Sequence, residues 1–407
     1  LRVKDTAVVS LFVPSFNRGG VERMIINLAR GMAELGVSVD LVVGHAPQAA
    51  HLDTLLDGVR VVRLRARGDR ALAKAFAGYL STRQPEAILS AKSSSDVLAT
   101  RALRYTDATP RLYIRAVVNV NAQVARRGVH KRWWLRRTLK KVYRSASGII
   151  AVSTGVADDV RAIERGAFVP VTVVPNPAFT PEMLDLAELP VEHPWFLKEQ
   201  VPVVVGGGRL GRQKNFALLI RAFAEVLRST EARLVIMGEG RQRDRLLKLA
   251  ADLGVAHAVD LPGYVDNPYA LLRRAKLFVL SSRWEGSPNI LTEALLLGAS
   301  VVSTDCPSGP RELLDDGRLG ALVPVDDINA LADAMRAGLS SRAPSREDVT
   351  RLRQRHDYLA SASRYLLAMG ISSDLVGSPA AHSEPVSQPA KKRQEEHAPV
   401  SNEEMRS

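Results

Sequence analysis

Cysteine is almost missing from this 407-residue chain. Cys306 stands alone, so no internal disulfide can form, and a reducing cytoplasmic setting is expected. No apolar run approaches the roughly 20 residues a helix needs to cross a bilayer, which excludes an integral helical membrane protein. The N-terminal residues show no basic, apolar and small-residue sequence of a secretory leader; Val8 to Val13 is too short and reads as a strand. No short tandem repeat is visible, and no Asp-x-Asp pair of the kind that holds a divalent ion. What remains is ordinary: 46% hydrophobic and 24% charged residues, which excludes collagenous, disulfide-scaffold and mostly disordered classes. At about 100–200 residues per domain, two or three domains are expected.

The net charge of +13 is unevenly placed. Residues 1–196 hold 28 Lys/Arg against 17 Asp/Glu, and residues 197–370 hold 24 against 20. A basic first half points to an anionic partner: phosphorylated substrates, an anionic membrane or nucleic acid.

Apolar strand-like runs alternate with helical spacing. Val8–Val13, Val37–Val43, Val59–Leu64, Ala87–Ser90, Leu112–Ile114 and Ile149–Val152 read as strands. Val21, Met24, Ile25, Leu28, Met32 and Leu35 form a core-facing helical stripe closed by Gly36. Five prolines between Pro175 and Pro194 interrupt the rhythm. The pattern then restarts: strands over 202–206, 233–237, 258–261, 277–280 and 300–303, with helices between them. A last helical stretch covers Val349–Met369. This predicts an α/β fold of two Rossmann-like, doubly wound domains. The divisions are a first domain over 1–180, a linker over 181–200, a second domain over 201–345, a C-terminal helix over 346–370 and a disordered tail over 371–407.

Three loops could carry chemistry. Asn17-Arg18-Gly19-Gly20-Val21-Glu22 joins the first strand to its helix, where ligands of open parallel sheets sit. On its own it reads equally as a tight turn. Gly206, Gly208 and Gly211 meet the G-x-G-x-x-G spacing, with Arg209 in the loop and Lys214 near the next helix. Two cations beside a helix N-terminus suit a diphosphate. The same glycines leave a nicotinamide-dependent oxidoreductase open. The third runs from Ser281 through Trp284-Glu285-Gly286-Ser287-Pro288-Asn289-Ile290-Leu291-Thr292-Glu293. Ser287 is expected to cap a helix starting at Pro288, leaving the N–H groups of Asn289, Ile290 and Leu291 for an anion. Glu285 before that helix and Glu293 inside it would then reach opposite ends of an elongated ligand.

Taken in order over residues 8–340, these motifs resemble glycosyltransferase family 4, the group 1 glycosyl transferases, which are retaining enzymes of the two-domain GT-B fold. The resemblance lies in Gly19-Gly20, Ser153, Asn176-Pro177, Gly208-Arg209-Leu210 with Lys214-Asn215, Gly238-Glu239-Gly240, and Leu261-Pro262-Gly263. It also lies in Glu285 and Glu293 with seven residues between them, and in Ser303-Thr304-Asp305. It implies that the two domains face each other across a cleft, the first receiving the acceptor and the second the nucleotide sugar. It implies that Arg209 and Lys214 neutralise the donor diphosphate and that Glu285 holds hydroxyls of the transferred sugar. Glu293 would hold the ribose hydroxyls, and the amides near Asn289, Ile290 and Leu291 the phosphate. Gly19 and Gly20 would close over the donor, and Gly263, Tyr264 and Val265 would border the base. No cofactor and no metal is implied, the nucleotide sugar being a substrate. Many relatives carry a first-domain His after the strand equivalent to Leu112–Ile114. Here Tyr113 to Asn121 contains none, and Arg115 or Asn119 is left to take its place.

One further stretch contains no acidic residue. Residues 126–144 hold nine cations, among them Arg126, Arg127, Lys131, Arg132, Arg136, Arg137, Lys140 and Lys141, around Trp133-Trp134. This suits an anionic membrane surface, unless the tryptophans face the core. Nucleic acid is disfavoured, because interleaved stacking aromatics are missing. The expectation is therefore a cytoplasmic, peripherally membrane-bound retaining hexosyltransferase. It would use a nucleoside-diphosphate donor, UDP-linked by preference, and a hydroxyl acceptor such as a polyprenyl-linked saccharide of a surface polysaccharide. The rivals are the oxidoreductase and a non-catalytic protein that binds sugar nucleotide or RNA.

Overall fold

A computed structural model describes residues 7–16, 19–45, 57–124, 128–164, 169–197, 201–341 and 343–371. Asn17, Arg18, Arg126, Arg127 and the expected tail beyond Ile371 lie outside the described residues.

The first body is a seven-stranded, wholly parallel sheet in the order β3-β2-β1-β4-β5-β6-β7. Its strands are β1 (Val8–Ser15), β2 (Ser38–His45), β3 (Val59–Arg63), β4 (Ala87–Ser90), β5 (Arg111–Ala116), β6 (Gly148–Ala151) and β7 (Val171–Val173). The second is a six-stranded parallel sheet in the order β10-β9-β8-β11-β12-β13. It is built from β8 (Val203–Gly207), β9 (Arg233–Met237), β10 (Val259–Gly263), β11 (Leu277–Leu280), β12 (Val301–Thr304) and β13 (Ala321–Val323).

Strand periodicity explains why each sheet is covered on both faces. On β1, Val9, Leu11 and Val13 enter one core with the helix Gly20–Glu34, while Phe12 enters the other with Phe76. On β8, Val203 and Val205 face one core and Val204 the other.

Three segments differ from the sequence reading. The linker is not without structure: helices Glu182–Glu188 and Pro194–Leu197 form in it, and Met183, Ala187 and Val191 join the second core. The C-terminal stretch is two helices, Arg346–His356 and Tyr358–Ala368. Asp357 ends the first and caps the second, accepting from the Ala360 N–H at 2.9 Å. The second of these returns to the first sheet, where Ala362, Tyr365, Leu366 and Met369 pack with the helix Gly20–Glu34. Ile371, the first residue of the expected tail, is buried in the same core. Among the described residues no helix is long and apolar enough to cross a membrane.

Candidate active site

Strand order reverses between β1 and β4 in the first sheet and between β8 and β11 in the second. Ligands of open parallel sheets gather outside the carboxyl ends of strands at such reversals. The loops after β1, β8 and β11 are the three motif loops.

Glu285 follows β11 and is buried; Oε1 is held by two donors, while Oε2 has one long bond and acceptor capacity left over. Oε1 accepts from Lys214 Nζ at 2.7 Å and from Ser282 Oγ at 2.6 Å. Oε2 accepts from Gln213 Nε2 at 3.4 Å. The Lys214 stem reaches this position across Gly208, whose φ of +134° and lack of a side chain make room; a Cβ there would lie 2.8 Å from Lys214 Cε. Lys214 and Glu285 are thus brought together as one pair. Arg209 stands exposed in the same loop with no ion pair among the described residues.

The helix after Glu285 is Asn289–Leu296, one residue later than expected. Pro288 takes the cap position, and Ser287 makes no capping bond. The Leu291 N–H is not free: it donates to Pro288 O at 3.0 Å. The expected three-amide anion site is therefore narrowed to the first turn at Asn289 and Ile290, where short-range bonding tightens the helix start. Four residues in, Glu293 is fully buried. Its partner is Arg23 of the helix Gly20–Glu34, with Nη2 3.3 Å from Oε1. Burial works against the Arg23 charge, but the Glu293 carboxylate overrides it and keeps the guanidinium firmly protonated. Arg23 also lies over the Tyr269 ring at 5.1 Å. Gly263 ends β10 with φ +89°; beyond it Tyr264 is exposed close to Arg23 and Tyr269, and Val265 packs on the second core.

The first body meets this loop directly. Gly20 O accepts from Asn289 Nδ2 at 3.0 Å, and Asn289 Oδ1 accepts from Asn176 Nδ2 at 2.6 Å. Gly19 precedes the same turn. Ser153 Oγ donates to Gly286 O at 2.7 Å. Of the two residues considered for the absent His, Arg115 is a buried strut, bonded to Tyr365 Oη at 2.9 Å and to Asn176 Oδ1 at 2.6 Å. Asn119 is the one at the cleft. Its N–H reaches Glu285 O at 3.4 Å and its Nδ2 donates to Ser308 Oγ at 2.9 Å. Asp159 pins the following turn by accepting from the Val120 N–H at 2.7 Å.

Arg23 was missed by sequence reasoning, which stopped at Glu22. One signal was there: a cation in the first turn of a helix opposes the macrodipole, so something else must favour it.

The basic stretch forms the helix Val129–Tyr143. Leu139, Val142 and Tyr143 anchor it in a core. Trp133 and Trp134 do not face that core; they are 60% and 68% exposed, with Arg137 stacked on Trp133 at 5.5 Å. Lys141 is exposed beside them, Arg132 and Lys140 are half-buried, and Arg136 turns back to Asn121 Oδ1 at 2.9 Å. The side chain of Lys131 lies outside the described residues.

Comparison with known proteins agrees with this geometry. Residues 18–179 match the family described as Glycosyltransferase Family 4, and residues 201–341 that described as Glycosyl transferases group 1. One relative is the N-acetylgalactosamine-N,N'-diacetylbacillosaminyl-diphospho-undecaprenol 4-alpha-N-acetylgalactosaminyltransferase of Campylobacter jejuni. It is 40% identical over 136 residues, 33% of this chain and 37% of that protein. A second Campylobacter jejuni protein is the GalNAc-alpha-(1->4)-GalNAc-alpha-(1->3)-diNAcBac-PP-undecaprenol alpha-1,4-N-acetyl-D-galactosaminyltransferase. It is 25% identical over 85% of this chain and 93% of its own length. Among solved structures, HepE of Anabaena in complex with UDP and glucose has the same fold. Its TM-score is 0.71 at 19% identity, over 89% of this chain and 99% of that one. With both halves matched in order and the fold shared along the chain, the protein belongs to the family 4, or group 1, glycosyltransferases.

Proposed function

We propose that the chain is a retaining glycosyltransferase moving a hexose or N-acetylhexosamine from a nucleoside-diphosphate sugar, UDP-linked by preference, to a hydroxyl of a lipid-linked saccharide. One observation carries the reading: the Lys214–Glu285 pair and the buried Glu293 flank a helix start at the reversal of strand order. In this reading Glu285 holds sugar hydroxyls and Glu293 the ribose. Arg209, Lys214 and the helix start at Asn289 stabilise the charge that develops on the leaving diphosphate. The bond from the sugar anomeric carbon to the phosphate oxygen breaks, the acceptor oxygen bonds to the same face, and its proton passes to the leaving phosphate. Asn119, at the Glu285 backbone, orients the sugar from the first domain. No divalent ion and no cofactor is required in this scheme.

The lipid-linked acceptor is supported by the names of the two Campylobacter relatives and by the exposed Trp133-Trp134 pair among cations, which suits the headgroup level of an anionic membrane. UDP is supported by the HepE complex. The test is nucleotide release from a panel of UDP- and GDP-sugars with a polyprenyl-diphosphate saccharide, with and without EDTA, and an NADH absorbance control. The product anomer is read by NMR. Release from no donor, or an inverted anomer, refutes the assignment.

A further inference from the structure

Two sealed polar atoms in the cleft have no hydrogen-bond partner, and they belong to the two halves of one ion pair. They are Glu293 Oε1 and Arg23 Nε. Buried polar atoms are nearly always paired, so each needs an explanation. Left to itself, an arginine–carboxylate pair closes into two parallel bonds that use both oxygens. Here it does not. Arg23 Nη2 is 3.3 Å from Oε1 and 3.5 Å from Oε2, shared at long range, while Nε on the same guanidinium is unused.

The neighbours hold this arrangement open. The guanidinium lies over the Tyr269 ring at 5.1 Å. Three residues before Arg23, Gly20 O is tied to Asn289 Nδ2 at 3.0 Å, which fixes the helix Gly20–Glu34 against the helix that carries Glu293. The result is one unpaired acceptor and one unpaired donor, contributed by helices of the two bodies, near the exposed Tyr264. A hydroxyl group satisfies both at once, because it donates one hydrogen and accepts another. A carboxylate alone would offer no donor to the hydroxyl oxygen.

We propose that Arg23 completes the ribose site from the first domain: a ribose hydroxyl donates to Glu293 Oε1 and accepts from Arg23 Nε. Arg23 is then a specificity-determining contact, and the nucleoside end of the donor bridges the two sheets. This rests on the ribose role proposed above for Glu293.

The experiment is titration calorimetry with UDP and GDP and with their 2′-deoxy and 3′-deoxy forms. Proteins are wild type, Arg23→Ala, Arg23→Lys and Glu293→Gln, each checked for folding by thermal melting. Wild type should bind at least one deoxy form about tenfold or more weakly than the parent, since the lost bond is to a charged group. In Arg23→Ala that ratio should fall below about threefold. Arg23→Lys keeps the charge and loses the Nε donor, so the ratio should stay collapsed; a lysine that restores it would make Arg23 a mere brace. An unchanged ratio in Arg23→Ala overturns the proposal. If Glu293→Gln collapses the ratio and Arg23→Ala does not, the ribose reading of Glu293 stands and only Arg23 is wrong. If Glu293→Gln also keeps the ratio, or wild type does not discriminate or binds none of the nucleotides, the ribose reading itself fails.

Discussion

At Gly286 the loop after β11 lies against the backbone just past β5 of the first sheet. A Cβ built there would lie 2.1 Å from Val117 O, 2.7 Å from Val117 C and 3.1 Å from Val118 Cα. All three are backbone atoms just past β5, so none can swing aside as a side chain would. Carbon–oxygen contacts settle above roughly 3.3 Å, so Gly286→Ala must push the loop back by about 1 Å. That retreat stretches the Ser153 Oγ bond to Gly286 O, now 2.7 Å, and the Asn119 N–H contact to Glu285 O, now 3.4 Å. Overpacking of this kind costs about 1–3 kcal/mol. The chain can relieve it by parting the two sheets at the cleft, so the cost should fall on the arrangement that turns over rather than on folding. The expected outcome is a five- to 150-fold fall in kcat/KM, roughly 1–3 kcal/mol at 1.36 kcal/mol per decade, with little change in melting temperature. Initial rates of nucleotide release across donor concentrations measure the first, and a thermal melt the second. A Gly286→Ala protein within twofold of wild-type kcat/KM would refute the claim that this contact belongs to the working enzyme.

Arg209→Ala and Lys214→Ala should each impair turnover, and the double variant should lose less than the product of the two, because both cations would serve one diphosphate. Lys214→Ala should be the more damaging, since it also strips the buried Glu285 of its ion pair, and equal single effects in steady-state kinetics would argue against that. Asn119→Ala should lower kcat with a loss of about 1 kcal/mol of stability, because its Oδ1 also accepts from the Ala122 N–H at 2.8 Å, whereas Arg115→Ala should destabilise by on the order of 3 kcal/mol in urea, leaving its Tyr365 and Asn176 partners unpaired. His356 and Asp96 should bend the stability curve in opposite senses. Burial pushes His356 down to about 4, so its contribution is full above the unfolded value of 6.5 and about 3 kcal/mol is lost as pH falls toward 4; His356→Asn should flatten that fall. Burial pushes Asp96 up to about 7, so its contribution is full below 3.8 and lost as pH rises through 7; Asp96→Asn should stabilise at pH 8 and change little at pH 4. Finally, the protein should sediment with anionic vesicles at 0.1 M salt and much less at 1 M, where the Debye length shrinks from about 10 Å to about 3 Å. Changing Arg136, Arg137, Lys140 and Lys141 to Glu should abolish pelleting, and equal pelleting would remove the membrane role of this helix.

The sheets were legible because parallel strands covered on both faces must be apolar throughout. Ala87–Ser90, Arg233–Met237 and Leu277–Leu280 could be read to the residue. The edge strands β7 and β13 were not: each has three residues and one neighbour, so neither needs a long apolar run. The C-terminal stretch read as one helix because Val349, Leu352, Tyr358, Ala362 and Tyr365 continue an apolar face across Asp357. Asp357 breaks the helix and caps the next one, and the two halves then pack against different cores, Leu352 in the second and Tyr365 in the first. The same divide runs through the site. Glu285, Lys214 and Glu293 were found because each sits at a fixed offset from a strand end, a relation written in local spacing. Arg23 was not assigned, and Asn119 only as an alternative to Arg115, because their importance comes from partners far away in the chain: Arg23 and Glu293 are 270 positions apart. Local spacing can place a carboxylate beside a helix start, but it cannot say which cation from the other sheet will face it. That is the half of the site that closure of the two bodies supplies. The nucleotide would thus be recognised by a pair that neither body could assemble alone, and for that reason donor binding and closure should prove to be one event.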